Sequence, residues 1–386
     1  MDRVYTIFSE LLKLVPRYHF DKAVEARGAE RYVKSFSTWS HFIAMLYSQI
    51  TGKDSLRDIE TGLQAQSARW YHLGLSGVHR STLADANAKR DYRVFEDTFY
   101  KLLDRCQDLT PKHRFRFKNP LYTIDATTID LCLSMFPWAK FRTTKGAIKM
   151  HCLYDHSGAL PTFLTVTDGK KHDVRVVKEH DFPLTPDSIV SIDKAYIDFK
   201  WLYSLQKQGV WFVTRAKRNL DCAVVGQHPV GAKGMVSDER IMLQGPRSRI
   251  LYPETLRLIR YYDEERKKTL VFLTNNFTLA ASTIAQIYKS RWQIELFFKW
   301  IKQNLKIKSF LGTSKNAVLA QVWIAMCYYL LLSYIKYQTK YGRSLLQLCR
   351  VIRETLFERR NLIDILTLKP DRLLIMRDQG AQASLF

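Results

Sequence analysis

The chain has 386 residues, of which 46% are hydrophobic and 25% charged, and its net charge is +23. This length allows two or three domains, and the apolar fraction is that of a globular protein. The charge favours a nucleic-acid partner, with a basic membrane-surface protein or a ribosomal component as the alternatives. The six cysteines are scattered without a C-x-x-C pair, which excludes zinc ribbons and disulfide frameworks and fits a reducing compartment.

Residues 1–75 are predicted to form a helical domain of their own. Apolar residues repeat with helical spacing from Phe8 to Val15, and Pro16 ends that run. Thr38 is a predicted N-cap for a helix that ends near Gly52. Short helices, tight turns and scattered basic residues are typical of a helix-turn-helix-like DNA-binding module. A helical bundle that serves dimerisation is the alternative.

A helical connector is predicted over residues 76–117. Ser81 and Thr82 begin an apolar periodic run that continues to Leu103, and the basic stretch 112–118 follows Pro111. Such a charged run is either a solvated linker or a phosphate contact.

The sequence pattern changes at Leu121 from helical to extended spacing, which begins a predicted α/β domain over residues 118–335. Asp125 lies in the middle of the first strand and Asp193 directly after the fourth, whereas Asp130 would face the opposite side from Asp125. The elements predict a mixed sheet flanked by helices. The predicted strands are 121–129, 147–155, 160–167, 188–192 and 210–214, and the predicted helices are 173–180 and 199–207.

Residues 220–276 have a different sequence pattern, in which glycine and proline turns separate short segments with β-strand periodicity. Strands are predicted over 249–252, 256–262 and 270–274, with a hairpin turn at 263–266. This segment is therefore predicted to be a β-strand insertion in the α/β domain.

One continuous helix, capped by Ser282 or Thr283, is predicted to carry Tyr288, Arg291, Glu295 and Lys302 on a single polar edge beside an apolar stripe. Between residues 286 and 315 there are seven basic residues and one acid, Glu295. A lone acid in a basic surround indicates a metal ligand beside a polyanion. The alternative is that Glu295 pairs with Arg291 or Lys299 at i,i+4 spacing.

The spacing Tyr288, Arg291, Glu295, Lys302 resembles the YREK signature of a large family of bacterial insertion-sequence transposases. The resemblance covers residues 118–335 and implies an RNase H-like catalytic core with an acidic DDE triad. Asp125, Asp193 and Glu295 occupy the positions of that triad. The segment after Asp193, which ends at Tyr196, also resembles the family pattern.

Three converging carboxylates can hold two Mg²⁺ ions, or Mn²⁺ as a substitute, for phosphoryl transfer. The resemblance implies that Tyr288, Arg291 and Lys302 contact DNA phosphates. Four more residues are predicted to contact DNA: Lys149 and His151, which share one face of the second strand, and Tyr196 and Lys299. A structural histidine is the alternative for His151. Relatives that form a DNA hairpin use an aromatic residue of the insertion to hold a flipped base, and the candidates here are Tyr252, Tyr261 and Tyr262.

The expected function is that of a transposase. It would bind the terminal inverted repeats of its own element, cut these double-stranded DNA ends and join them to target DNA, as a homodimer on paired ends at the nucleoid in the bacterial cytoplasm. The alternatives are an RNase H-like nuclease without strand transfer and a DNA-binding repressor of transposition. No membrane partner is expected, because the apolar segment 317–335 reads as a buried core helix. A basic helical tail is predicted over residues 336–386.

Overall fold

The computed structural model of the chain describes residues 5–139, 145–231 and 233–367. The chain divides into two compact units, Met1–Thr110 together with Ile301–Phe386, and Pro111–Trp300. The first is helical and the second is built on a β-sheet. Segments from both ends of the chain therefore belong to one compact unit. The end of the predicted basic tail, residues 368–386, lies outside the described residues.

The helical unit begins with short helices, as the sequence predicts. Among the described residues up to 110 they are α1 (Ile7–Lys13), α2 (Arg17–Ala26), α3 (Thr38–Thr51), α4 (Leu56–Gln64), α5 (Trp70–Leu73), α6 (Arg80–Lys89) and α7 (Arg93–Gln107).

Helix α3 is the central helix of this group, because every side chain from Thr38 to Ile50 is buried. The Ser37 hydroxyl accepts a hydrogen bond from the backbone N–H of Ser40 at 3.1 Å, so Ser37 is the N-cap and the predicted cap, Thr38, is the first helical residue. The helix ends where predicted, at Gly52, whose φ of +73° is a left-handed conformation that favours glycine.

The second unit contains nine strands in one sheet. They are β1 (Leu121–Leu131), β2 (Gly146–Asp155), β3 (Leu160–Asp168), β4 (Ile189–Ile192), β5 (Trp211–Arg215), β6 (Cys222–Gln227), β7 (Met235–Leu243), β8 (Leu256–Asp263) and β9 (Lys268–Thr274). The accompanying helices are α8 (Asp173–Glu179), α9 (Phe199–Lys207), α10 (Ser248–Leu251), α11 (Ala281–Ser290) and α12 (Trp292–Asn304), the last of which continues into the helical unit.

The sheet has the strand order β3-β2-β1-β4-β5-β9-β8-β7-β6. Strands β1, β2 and β3 form an antiparallel meander, and β4 and β5 continue it parallel to β1. Helix α8 precedes β4 and helix α9 connects β4 to β5. This order and these directions are those of the RNase H-like fold, and the predicted fold class is confirmed.

Helices cover both faces of the sheet. On one face Ile124 and Val190 pack with Leu202 of α9. On the other face Ile189 packs with Ile284 and other residues of α11. Because successive side chains of a strand point to opposite faces, each central strand contributes to both cores.

The predicted insertion is part of the same sheet. Strands β9, β8, β7 and β6 form an antiparallel meander that joins β5 through β9. The predicted hairpin turn is confirmed, since Asp263 pairs with Lys268 across it. The predicted strand at 249–252 is wrong. This segment is the short helix α10, whose turn is closed by the hydrogen bond from the N–H of Tyr252 to the carbonyl of Ser248 at 2.9 Å.

The predicted continuous helix is two helices, because α11 ends at Ser290 and α12 begins at Trp292. At the junction the chain tightens to i→i−3 hydrogen bonds, from the N–H of Arg291 to the carbonyl of Tyr288 and from the N–H of Ile294 to the carbonyl of Arg291. The predicted caps at positions 282 and 283 are also wrong. Ala280 is the N-cap of α11, and its side chain makes no capping hydrogen bond.

The chain ends, within the described residues, with α13 (Lys315–Gln338), α14 (Leu345–Thr355) and α15 (Leu362–Thr367). By length and composition α13 is the one described helix apolar enough to cross a membrane, but 94% of its most apolar window is buried. This burial is typical of a core helix, as predicted.

The C-terminal helices complete the core of the N-terminal ones. The Phe357 ring lies 6.0 Å from that of Phe8 and 5.9 Å from that of Tyr47, between ring centroids. Arg353 Nε donates to the carbonyl of Ile50 at 2.8 Å. Residues 1–75 therefore share their apolar core with residues more than 250 positions away.

Candidate active site

The first two predicted acids lie side by side in the sheet. The parallel register of β1 and β4 pairs Ile124 with Ile192. Asp125 follows Ile124 in β1, and Asp193 directly follows Ile192, the last residue of β4. Because neighbouring positions in register point to the same face, both carboxylates project toward the side that α11 covers.

Asp193 also ends its strand. Its carboxylate accepts a hydrogen bond from the N–H of Ala195 at 3.0 Å and caps the 3₁₀ turn Lys194–Tyr196. The cap fixes this carboxylate at the edge of the sheet, with part of its surface exposed.

The third acid, Glu295, lies in the first turn of α12. Arg291 joins it to the sheet. Nη1 of Arg291 lies 2.7 Å from Oδ2 of Asp125, and Nη2 lies 2.7 Å from Oε1 of Glu295. The arginine side chain is 13% exposed, so this two-sided ion pair is largely shielded from water. The predicted i,i+4 pair of Arg291 and Glu295 is present, and Asp125 is a second partner that sequence spacing could not reveal.

The pKa of Asp125 depends on its burial and on the charged groups around it. Burial raises the pKa of Asp125 to about 6, while a hydrogen bond from the N–H of Ala126 and the charge of Arg291 oppose the rise. The charges of Glu295 and Asp193 raise the Asp125 pKa further. The negative charges of Glu295 and Asp193 therefore both disfavour ionisation of Asp125.

A cation that sequence reasoning missed lies at the same edge of the sheet. The register pairs Ser191 of β4 with Val213 of β5, and two residues further along are Asp193 and Arg215. Arg215 is partly buried, and its charge lowers the pKa of Tyr288, which burial raises. Its position could have indicated it, since Arg215 is the last residue of β5 and Asp193 is the residue directly after β4.

Two regions of the sequence match known protein families. Residues 116–331, more than half of the chain, match the family model described as a transposase DDE domain. The chain belongs to the DDE transposases of bacterial insertion sequences. Residues 4–76 of the transposase match a second model, which is described as a domain of unknown function.

Curated relatives carry the same name. A Sinorhizobium fredii protein named as a transposase is 33% identical over 73% of this chain and 79% of its own length. A Geobacillus stearothermophilus protein named as the transposase of insertion sequence element IS5377 is 28% identical over 69% of this chain and 70% of its own. Among solved structures, a piggyBac transposase synaptic complex with hairpin DNA aligns with a TM-score of 0.44 and 12% identity, over 97% of this chain and 83% of that one. That TM-score is too low to support an argument about this chain.

Membership of this family makes the protein an enzyme that acts on DNA, and the DDE domain implies the use of divalent metal ions. The residues fit such ions by donor chemistry, because Asp125, Asp193 and Glu295 offer carboxylate oxygens, the ligands that hard cations prefer. Within the described ranges no group of three or more His, Cys, Asp or Glu side chains is already arranged for a metal. In this conformation the Arg291 guanidinium provides the positive charge between Asp125 and Glu295.

Tyr288 lies at the end of α11, next to the site. Its ring packs on Phe272 of β9 with centroids 5.1 Å apart, and Cζ of Arg291 lies 5.8 Å from its centroid. The half-buried ring therefore supports the arginine and leaves only part of its surface for DNA.

Lys149 and His151 lie on the other face of the sheet from Asp125. They pair with Thr128 and Ala126, whereas Asp125 pairs with Cys152, so their side chains alternate away from it. Lys149 Nζ lies 2.6 Å from Oδ1 of Asp173.

Two of the residues predicted to contact DNA are buried. His151 is 1% exposed, and its Nε2 lies within hydrogen-bonding distance of the Thr167 hydroxyl at 3.0 Å. Burial lowers the His151 pKa to about 3, so the ring is neutral. Tyr196 is also 1% exposed and packs in the core under α9. Neither side chain presents surface to a duplex in this conformation.

Four further candidate DNA-contacting residues differ in their exposure. Lys299 is exposed, four residues after Glu295 in α12. Lys302 is partly buried in the part of α12 that belongs to the helical unit. Tyr252, a candidate for base stacking, is fully buried, whereas Tyr262 is 41% exposed.

Proposed function

We propose that this transposase binds the terminal inverted repeats of its own insertion sequence, cleaves those ends and joins them to target DNA. The observation that supports the proposal is that Arg291 bonds both Asp125 and Glu295, while Asp193 follows β4 next to Asp125 in the register with β1. The chemistry uses two divalent ions, Mg²⁺ or Mn²⁺ in its place.

The acids hold the ions and the cations hold the DNA. Divalent ions held by these carboxylates would activate the attacking water or DNA 3′-hydroxyl and would stabilise the leaving oxygen. Asp125 and Asp193 provide ligands from the rigid sheet, and Glu295 provides its ligand from α12. When Asp125 and Glu295 bind ions, the planar fork of Arg291 becomes available for a phosphate. Arg215 approaches the same edge of the sheet beside Asp193.

DNA end recognition is assigned to the N-terminal helices. Helices α3 and α4 are joined by the short turn after Gly52, and this connectivity is compatible with a helix-turn-helix. The net charge of +23 supports a polyanionic partner. Because two ends must be cut and joined together, the working form is a homodimer on paired ends, located at the nucleoid.

The test uses the DNA that flanks the gene. Purified full-length protein is incubated with a labelled duplex that carries a flanking terminal repeat, a supercoiled plasmid and Mg²⁺. We expect nicking or cleavage at the repeat boundary and covalent joining of the labelled end to the plasmid. Cleavage without joined product would indicate a nuclease, and binding without cleavage would indicate a repressor. Either result would contradict the proposal.

A further inference from the structure

A basic pocket lies in the helical unit, at the loop that follows α12. It is a cavity of about 370 Å³. Four basic side chains line it, Lys302, Lys306, Lys308 and Arg353, and none of the described lining residues is acidic. Lys302 alone of these was predicted to contact DNA.

Two buried glutamines fix the shape of the loop. Gln49 on α3 and Gln321 on α13 are each 1% exposed. Gln49 accepts a hydrogen bond from the N–H of Lys306 at 2.9 Å and donates to the carbonyl of the same residue at 3.3 Å. Gln321 donates to the carbonyls of Lys306 and Ser309 at 2.6 and 2.8 Å, and accepts from the N–H of Leu311 at 2.9 Å. Both buried amides direct these hydrogen bonds to the backbone of one loop. They therefore fix the backbone positions from which its lysines project.

The basic side chains converge above a glycine. A methyl group at Gly52 would lie 3.7 Å from Cε of Lys306 and 4.0 Å from Nη2 of Arg353. Arg353 is anchored through Nε, which donates to the carbonyl of Ile50. This anchor directs the outer guanidinium nitrogens toward the cavity, where a planar fork suits a phosphate.

Negative charge near the pocket is small. Lys306 pairs with Asp54, whose side chain is 78% exposed. An exposed pair of this kind contributes little stability, so a phosphate can replace the carboxylate at low cost. Four cations and one exposed acid leave the cavity with an excess of positive charge.

We propose that this pocket binds the phosphodiester backbone of DNA, through Lys306, Lys308 and Arg353, at a site separate from the acid triad. This inference rests on the proposed function, which provides the DNA. A backbone contact carries no sequence information but fixes the position of the duplex on the protein. The pocket therefore serves to hold the DNA during cleavage.

The test is the salt dependence of binding to a fluorescein-labelled 30-base-pair duplex of arbitrary sequence. Each lost phosphate contact reduces the slope of log affinity against log salt by about 0.9. The Lys308→Ala/Arg353→Ala protein should therefore lose about 1.8 of slope, and its affinity deficit should shrink about tenfold between 50 and 200 mM salt. The matched control is Lys340→Ala/Arg343→Ala, which removes the same charge from exposed positions between α13 and α14.

The outcomes distinguish a specific effect of the pocket from a general effect of net charge, and they test the pocket independently of the proposed cleavage reaction. An equal loss of slope in both double variants, or no loss in the pocket variant, would overturn the inference. If the pocket variant has a lowered Tm, the test is repeated with Lys308→Glu, because the Lys308 side chain is exposed and its replacement should not affect folding. Lys308→Glu should weaken DNA binding more than Lys340→Glu does. End cleavage by the wild type is scored separately. If the wild type cleaves the ends but the pocket variant keeps the wild-type salt slope, only the pocket inference is overturned. If the slopes are as predicted but the wild type does not cleave, only the proposed function is contradicted.

Discussion

Nη1 of Arg291 lies 2.7 Å from Oδ2 of Asp125, although 166 residues separate the two in the chain. The same guanidinium donates a hydrogen bond to Glu295, so one side chain connects Asp125 of β1 with Glu295 of α12. The arginine neutralises charge that divalent ions would otherwise neutralise. Under the proposed function, bound ions would take over the charge neutralisation that Arg291 provides in this conformation.

Arg291→Ala should lower the free energy of unfolding by about 2 kcal/mol, because it leaves two partly buried carboxylates without their hydrogen-bonding cation. Added Mg²⁺ should raise the Tm of this variant more than that of the wild type, since the ions then replace the lost charge. Thermal unfolding with and without Mg²⁺ measures both effects. Arg291→Lys should fall between the two proteins. A variant whose Tm and Mg²⁺ response equal those of the wild type would show that the bridge has no structural role.

Asp125 should make stability depend on pH. Burial raises its pKa in the folded chain to about 6, against about 3.9 in an unfolded chain. Between about pH 4 and 6 the unfolded state therefore binds fewer protons, and stability falls as the pH rises through this window and is constant above it.

Urea unfolding of the wild type and of Asp125→Asn, at pH 4 and pH 7 without divalent metal, measures this effect. From the lower to the higher pH the wild type should lose roughly 2 kcal/mol relative to the variant. The comparison cancels other carboxyls, such as Asp155, whose pKa burial also raises to about 6. A wild type that gains stability over this interval would contradict the burial of Asp125.

Arg215→Ala should reduce end cleavage at least tenfold while leaving the fold intact, because its charge lies at the edge of the sheet that carries Asp193. The matched control is Arg218→Ala, which removes the same charge from an exposed loop three residues away. Single-turnover cleavage rates distinguish the two. Equal rates in the two variants would remove Arg215 from the site.

Arg257→Ala should lower the free energy of unfolding by about 3–5 kcal/mol. Arg257 forms a buried ion pair with Asp238, with Nη2 2.6 Å from Oδ2, and donates to the carbonyls of Asn276 and Leu279. Its loss leaves a buried carboxylate unpaired. Urea unfolding should show Arg257→Ala/Asp238→Ala to be more stable than Arg257→Ala alone. A double variant no more stable than the single one would show that the carbonyl contacts dominate.

Local patterns in the sequence predicted the parts of the site that each element determines by itself. A mid-strand aspartate and a strand-terminal aspartate are visible in the sequence, because alternation and β-branched residues define the strands around Asp125 and Asp193. Glu295 is visible as the lone acid of a basic helix. These positions require no knowledge of what packs against them.

Contacts between distant segments were not predictable. The hydrogen bond between Arg291 and Asp125 depends on where α12 packs. The break between α11 and α12 at Arg291 is not marked by a glycine or proline in the sequence. Strand β7 was missed because two successive acids, Asp238 and Glu239, are both buried in ion pairs, with Arg257 and Arg260, against the usual alternation of polar and apolar residues. The sharing of one helical core by Phe8 and Phe357 likewise follows only from the tertiary fold.

The most direct test of the account is end cleavage by Asp125→Asn, Asp193→Asn and Glu295→Gln, with Mg²⁺ and with DNA binding measured in parallel. A neutral amide is a poor ligand for a hard dication, so each variant should bind the repeat duplex with near wild-type affinity and lose cleavage at least a thousandfold. Substantial cleavage by any one of the three would remove that residue from the triad and contradict a single site built from these acids.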